Sequence, residues 1–186
     1  MNFSNNELEV MFSNSTKKNS YEIMPLDMVC NHTENEDKKI YVKYLFSKFR
    51  MANLKTMINE MLENDIIDNN SDIIFILNDK VNNMGVFNSL IDLFLNSHNI
   101  FIQIFSIYSI TFNILKHERV PKLRVLDEDE KNIVIKKYNI DNPNKFPIFN
   151  RNDAHAKFCG VRRNTLCEIT RNSETAGIYI CYRYMP

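Results

Sequence analysis

Three glycines in 186 residues set the tightest limit on what this chain can become. Loops that wrap phosphates need glycine, because a side chain blocks the close backbone approach and the left-handed conformations they use. Gly85, Gly160 and Gly177 stand far apart. Neither a Walker A loop nor a GxGxxG turn can be written, which excludes P-loop nucleotide hydrolysis and the usual dinucleotide fingerprint. The length is that of one or two domains. Hydrophobic residues at 44% and charged residues at 25% are the proportions of a globular chain with a core. The 27 asparagines are scattered, and with the 22 isoleucines they read as A/T-rich codon bias rather than a prion-like tract.

A net charge of zero conceals a split. Residues 1–115 hold 9 Lys+Arg and 14 Asp+Glu, net −5, while residues 116–186 hold 14 and 9, net +5. Opposite signs in two halves point to two units with different neighbours, or to an electrostatic match between them.

Metal and cofactor chemistry find little footing. Cys30, Cys159, Cys167 and Cys181 include no CxxC pair, and His32, His98, His117 and His155 include no HExxH. No metal and no cofactor are expected, and the thiols read as buried or free in a reducing compartment. Met1–Ser20 lacks a basic stretch followed by an apolar core, so no signal peptide is expected. Asn14, Asn31 and Asn69 open sequons at about the frequency this composition gives by chance. Asn99–Leu115 carries no charge, but it is short and interrupted by Gln103, Ser106 and Asn113, so no membrane segment is expected. Its second half, Ser109–Ile114, alternates polar and apolar and predicts a half-buried strand.

The first half reads as a small α/β domain. Ile40–Phe46 alternates as a strand. Leu54, Met57, Ile58, Met61 and Leu62 follow the spacing of an amphipathic helix, with Lys55, Asn59 and Glu63 outward. Ile73–Leu77 is the short apolar run of a strand buried on both faces. Val86–Leu95 continues as a helix after a turn at Gly85, and Ile100–Ile107 as a strand. That order predicts a βαβ unit with parallel strands. A short helix around Glu7–Phe12 is expected in the polar beginning.

The second half reads as α+β. Val120-Pro121 forces extended backbone. Asp127 with Glu130 marks a helix start, running to about Tyr138 with Ile133, Val134 and Tyr138 inward and Lys131, Lys136 and Lys137 outward. Pro143 and Pro147 mark turns. Asp153 caps a helix over Ala154–Cys159, with Gly160 suited to its end. Leu166–Arg171 and Ile178–Tyr184 are strands. Ser173 and Glu174 could be offered as nucleophile and base, yet neighbours on a strand or turn rarely face each other, and no histidine stands nearby in sequence. Asp65, Asp68, Asp72 and Asp79 are candidates for a nuclease-like site by position alone. No catalytic residue and no small-molecule substrate are expected.

His117-Glu118-Arg119-Val120-Pro121-Lys122, the helix from Glu130 to Tyr138-Asn139-Ile140, Phe146-Pro147, Asp153, Gly160, and Arg171-x-Ser173-Glu174-Thr175-Ala176-Gly177 followed by Tyr182-Arg183 occur in one order. They resemble the C-terminal domain of the fifth-largest subunit of eukaryotic RNA polymerases, a family whose archaeal members lack the N-terminal jaw domain of the eukaryotic ones. The resemblance covers about Lys116 to Met185. It departs at Leu123, where the family has histidine, at Asp153-Ala154 in place of Asp-Pro, and at Asn164 in place of a glycine. Asparagine tolerates the left-handed turn that last position needs.

The resemblance implies an α+β chain with two domains. Residues 1–115 would form a jaw-like α/β domain, alike in architecture only, and residues 116–186 an assembly domain. It implies a non-catalytic subunit that docks on the largest polymerase subunit, with the jaw near downstream duplex DNA. Val120, Pro121, Lys122, Arg171, Ser173, Glu174, Thr175, Tyr182 and Arg183 are the expected partner contacts. The acidic first half is a poor general DNA binder, because duplex affinity rests on Lys and Arg neutralising phosphates. Lys38, Lys39, Lys43, Lys48 and Arg50 are its weak nucleic-acid candidates, beside Lys17-Lys18. A freestanding nucleic-acid-binding transcription factor on the same fold is the alternative. Location would be the nucleus for a cellular member, and a virion or viral factory for a member from a large DNA virus, which the codon bias and short jaw would suit.

Overall fold

The computed structural model describes residues 26–31, 38–45, 51–68, 71–78 and 84–186. The expected helix at Glu7–Phe12 lies outside them. The chain divides into two units between Thr111 and Phe112, four residues before the expected boundary.

In the first unit, β1 (Met28–Asn31), β2 (Lys39–Leu45), β3 (Asp72–Leu77) and β4 (Phe101–Ser106) form one sheet in the order β1-β2-β3-β4. β1 runs antiparallel to β2, while β2, β3 and β4 are mutually parallel, with Ile40, Asp72 and Phe101 in register. Helices α1 (Met51–Glu63) and α2 (Met84–His98) make the two crossovers. The apolar stripe of α1 does what its spacing dictates. Leu54, Met57, Ile58 and Met61 are buried against Ile73, Phe75, Ile102 and Ile104, while Lys55, Asn59 and Glu63 face water. Gly85 lies inside α2 as its second residue rather than in a turn before it.

Two expectations fail here for local reasons. Ser109–Ile114 is not a strand: Ile107–Ser109 and Ile114–Lys116 are single 3-10 turns. The Ser109 hydroxyl donates to the Ser106 carbonyl, the Thr111 hydroxyl to that of Tyr108, and Asn113 accepts from the Leu115 amide. These short polar side chains satisfy the backbone locally and so compete with a ladder. Lys43, read as a phosphate contact, is only 3% exposed. Its ammonium donates to Asp27 at 2.9 Å, and the other Asp27 oxygen accepts the Tyr44 amide. Lys43 is therefore half of a buried ion pair between β2 and the residue before β1.

The second unit is a three-stranded antiparallel sheet, β5 (Lys122–Val125), β6 (Thr165–Ser173) and β7 (Gly177–Met185), with β6 central. The extended backbone expected after Val120-Pro121 is thus a full strand. Helix α3 (Glu128–Lys137) begins with a complete capping box: the Glu130 amide donates to Asp127, and the Asp127 amide to the Glu130 carboxylate. On one sheet face, Leu126, Val134, Phe146, Leu166 and Tyr184 form a core with Ile135 against it. On the other, Phe149, Ala156, Val161, Cys167 and Met185 form a second core that includes helix α4 (Ala154–Phe158).

The expected facing of α3 needs correction. Ile133 and Tyr138 are exposed, whereas Val134 and Ile135 turn to the sheet. Lys131 tucks in, because its ammonium reaches both the Glu128 carboxylate and the Asn164 carbonyl at the start of β6. Asp153 caps α4 by accepting from the His155 amide, as its position predicts. Gly160 and Asn164 hold φ of 63° and 61°. The Cys167 thiol is pushed up to about 11 by burial.

Two measurements follow from these buried groups. Asp27→Ala leaves the Lys43 charge without its carboxylate and lowers stability by about 3–5 kcal/mol in equilibrium urea unfolding. The second concerns His155, whose Nε2 is buried with no hydrogen-bond partner. Burial lowers its pKa from the ordinary 6.5, against a smaller opposing effect of Asp153. The unfolded chain therefore takes up this proton first. The contribution is full above about pH 6.5 and is lost as pH falls through that value toward the lowered one. Unfolding midpoints between pH 7 and pH 5 should fall more steeply for the native chain than for His155→Gln; equal slopes would overturn this account.

Candidate protein-docking site

The antiparallel pairing brings Lys122, Arg171, Ser173, Glu174 and Thr175 toward one end of the second sheet, while Tyr182 and Arg183 lie toward the other. Lys122 opens β5 opposite Thr170, which in turn faces Ile180. One row on, Arg171 faces Tyr179, and the guanidinium sits 4.9 Å from the ring centroid. Ser173 and Gly177 close the hairpin. Gly177 is at φ 68°, a conformation that a side chain would strain. The Ser173 hydroxyl lies 3.3 Å from that of Thr175 and accepts the Ala176 amide, so it serves the turn. Glu174 and Thr175 project into solvent, and Val120 and Pro121 are half-buried before β5.

Tyr182 sits differently from the rest. It is half-buried on the helix-covered face, opposite Glu168, which lies opposite Arg124. Its hydroxyl donates to Glu168 at 3.1 Å, and Tyr138 and Phe146 meet its ring edge-on. Arg124 reaches both Glu130 and Glu168. The Arg124 hydrogen bond, joined by the Asp127 amide, holds Glu130 below its usual range, and burial followed by the Glu168 hydrogen bond raises Tyr182. The capping carboxylate of α3 is thereby tied to β5. Arg183 is exposed on the opposite face and donates to the Ile148 carbonyl.

Sequence reasoning missed the neighbours that complete this end. Ile178, Tyr179 and Ile180 are 66%, 44% and 47% exposed. The only trace in the sequence is an unbroken apolar run after Gly177, which reads equally well as a buried strand.

The nucleic-acid candidates do not assemble into a patch among the described residues. Lys38 is half-buried, Lys39 pairs with Asp68 at 3.1 Å, Lys43 is internal, and Lys48 and Arg50 lie outside those residues. Of the acidic candidates, Asp72 begins β3, Asp68 lies in the loop leading to it, and Asp65 turns the chain after α1 at φ 54°. All three stand at the amino end of β3, whereas open parallel sheets place ligands at the carboxyl ends. Asp79 is not described. Among the described residues no group of three or more His, Cys, Asp or Glu could hold a metal ion, and no helix is long and apolar enough to cross a membrane.

Residues 112–185, nearly all of the second unit, match the family model for the C-terminal domain of RNA polymerase Rpb5. The DNA-directed RNA polymerase subunit Rpo5 of Pyrococcus horikoshii is 42% identical over 72 residues, which cover 39% of this chain and 87% of that protein. The chain belongs to the Rpb5 family. The RPABC1 subunit of DNA-directed RNA polymerases I, II and III from Caenorhabditis elegans is 38% identical over 71 residues, 38% of this chain and 33% of that protein. The DNA-directed RNA polymerase V subunit 5A of Arabidopsis thaliana is 22% identical over 153 residues, 82% of this chain and 64% of that protein. With that plant Rpb5 relative, the likeness extends well into the residues before Phe112.

If Tyr182 is a strut of this Rpb5 unit, Tyr182→Phe should cost about 1 kcal/mol in urea unfolding. A variant as stable as the native chain would remove the hydroxyl from the fold's support.

Proposed function

We propose that this chain is a non-catalytic subunit of a multisubunit DNA-directed RNA polymerase, docking on the largest subunit through its second unit. The observation that carries this reading is the 42% identity to an archaeal Rpo5 over 87% of that protein. The uncovered hairpin of the second unit supports it. Exposed apolar residues there share rows of the sheet with Lys122 and Arg171, and Arg183 follows along β7, an arrangement suited to an acidic protein partner because opposite charge steers and orients docking. We propose Val120, Pro121, Lys122, Arg171, Ser173, Glu174, Thr175 and Arg183 as the contact region, with Tyr182 acting from behind it.

The first unit is the counterpart of the jaw and lies beside downstream DNA within the complex. The 153-residue likeness to the plant subunit supports that reading. Contact with DNA then depends on the assembly, since this unit has an acidic balance and its Lys43 is internal. In a cell with a nucleus the chain works there.

An affinity-tagged full chain, recovered from the cells that make it, should bring much larger polymerase chains with it in fixed ratio, as read by mass spectrometry. Arg171→Ala and Glu174→Ala should lower that recovery several-fold while leaving the thermal unfolding of the free chain within about 0.5 kcal/mol of native, as exposed positions do. Recovery of the tagged chain alone would overturn the assignment, and variants that unfold would make the loop a structural element. DNA photo-crosslinking within the recovered complex reads the jaw's position.

A further inference from the structure

The outer edge of β7 is only half covered. At its carboxyl end the Phe149 amide donates to the Tyr184 carbonyl at 2.7 Å, and the Tyr184 amide donates to the Pro147 carbonyl at 2.9 Å. Ile148 makes a parallel bridge there. Main-chain groups of alternate residues point to the same side of a strand, so those of Tyr182 and Ile180 point outward with those of Tyr184. The partner strand agrees: the Leu166 carbonyl, opposite Tyr184, turns away from β7 to accept the Leu126 amide. Among the described residues nothing pairs the outward amides of Ile180 and Tyr182.

An open edge of this kind is ordinarily blunted by lysine, proline or a bulge. Here it carries Ile178 and Ile180 side by side on one face, both exposed, with Tyr179 and Arg183 on the other. Arg171, whose guanidinium lies over the Tyr179 ring, and Arg183 stand on the Tyr179 face beside it, and among the described residues no carboxylate is bound to either; Glu174 is the one exposed acid of the hairpin. Unpaired backbone groups call for an extended chain, the isoleucine pair for apolar side chains, and the cations for carboxylates.

We infer that the β7 edge from Ile178 to Tyr182 accepts an extended, acidic segment of another polymerase chain as a fourth strand of this sheet. Apolar residues at alternate positions of that segment cover Ile178 and Ile180, and a carboxylate at the position beside Cys181, on the other face, meets Arg183 diagonally. A second copy of this chain is the poorer occupant, since it would bring the same cations to the same edge. The inference rests on the reading of the chain as a polymerase subunit.

Hydrogen exchange read by mass spectrometry on the full chain, free and within the recovered polymerase, tests it. Peptides spanning 177–185 should gain slow amides in the complex, at Ile180 and Tyr182. Ile180→Pro removes an outward donor without touching the ladder to β6, so the free chain keeps its fold while recovery of polymerase falls by about tenfold or more. Should that variant misfold, the double variant Ile178→Lys with Ile180→Lys tests the same edge through side chains already in water. Native recovery with unprotected peptides and fully incorporated variants would sink the strand while leaving the subunit assignment intact. Slow amides at Ile180 and Tyr182 already present in the free chain, or a dimer that the lysine pair dissolves, would mean the edge is filled by this chain itself and would also overturn the proposal. Failure of the native chain to recover polymerase overturns both readings together.

Discussion

Leu166 and Cys167 are adjacent on β6 and both fully buried, yet they point into different cores. The rest of the second unit follows from that constraint. A strand of this length can be covered on both faces only where helices lie, and α3 and α4 are ten and five residues long. They cover the β6 amino end and the β7 carboxyl end. The hairpin beyond them stands clear, held by backbone bonds and the Ser173 turn. Its exposure is the geometric remainder of a sheet longer than its helices.

The cluster of Arg124, Glu130, Glu168 and Tyr182 joins these parts. It is mostly solvent-facing, so its worth lies in direction more than in energy. One carboxylate caps α3 and binds a β5 arginine, which binds a β6 carboxylate, which accepts from a β7 tyrosine. Helix and all three strands are fixed in register by groups that bear charge or share it. In the first unit the comparable role falls to Lys43 and Asp27, which are deeply buried and so stand or fall as a pair.

Much of this was legible in the sequence because local rules and tertiary packing agreed. The α1 stripe, the continuous run of β3, the Asp127–Glu130 box and the Asp153 cap each formed as their residues require. Ser109–Ile114 misled because alternation is a statement about side chains, and the hydroxyls and amide there bind backbone instead. Lys43 misled because charge near charge in the sequence resembles a patch, and nothing local reveals Asp27 across the sheet. The proposed contact residues came from the family-like residues of the second half. The isoleucines beside them were not, because exposure of an apolar strand depends on where its neighbouring helices stop.

The scarcity of glycine has a consequence at the helix ends. Asp65, Asn99, Asn139 and Gly160 follow helices α1 to α4, at φ of 54°, 55°, 51° and 63°, and Ile66, Ile100, Ile140 or Val161 comes next in each case. Three of these four left-handed stops are therefore made by Asx residues, which bear some strain in the folded chain. The same residues give the unfolded chain fewer backbone states than glycine would, so less conformational freedom is surrendered at each stop. A glycine-poor composition thus reaches the ordinary helix terminus through the denatured ensemble as much as through the native one.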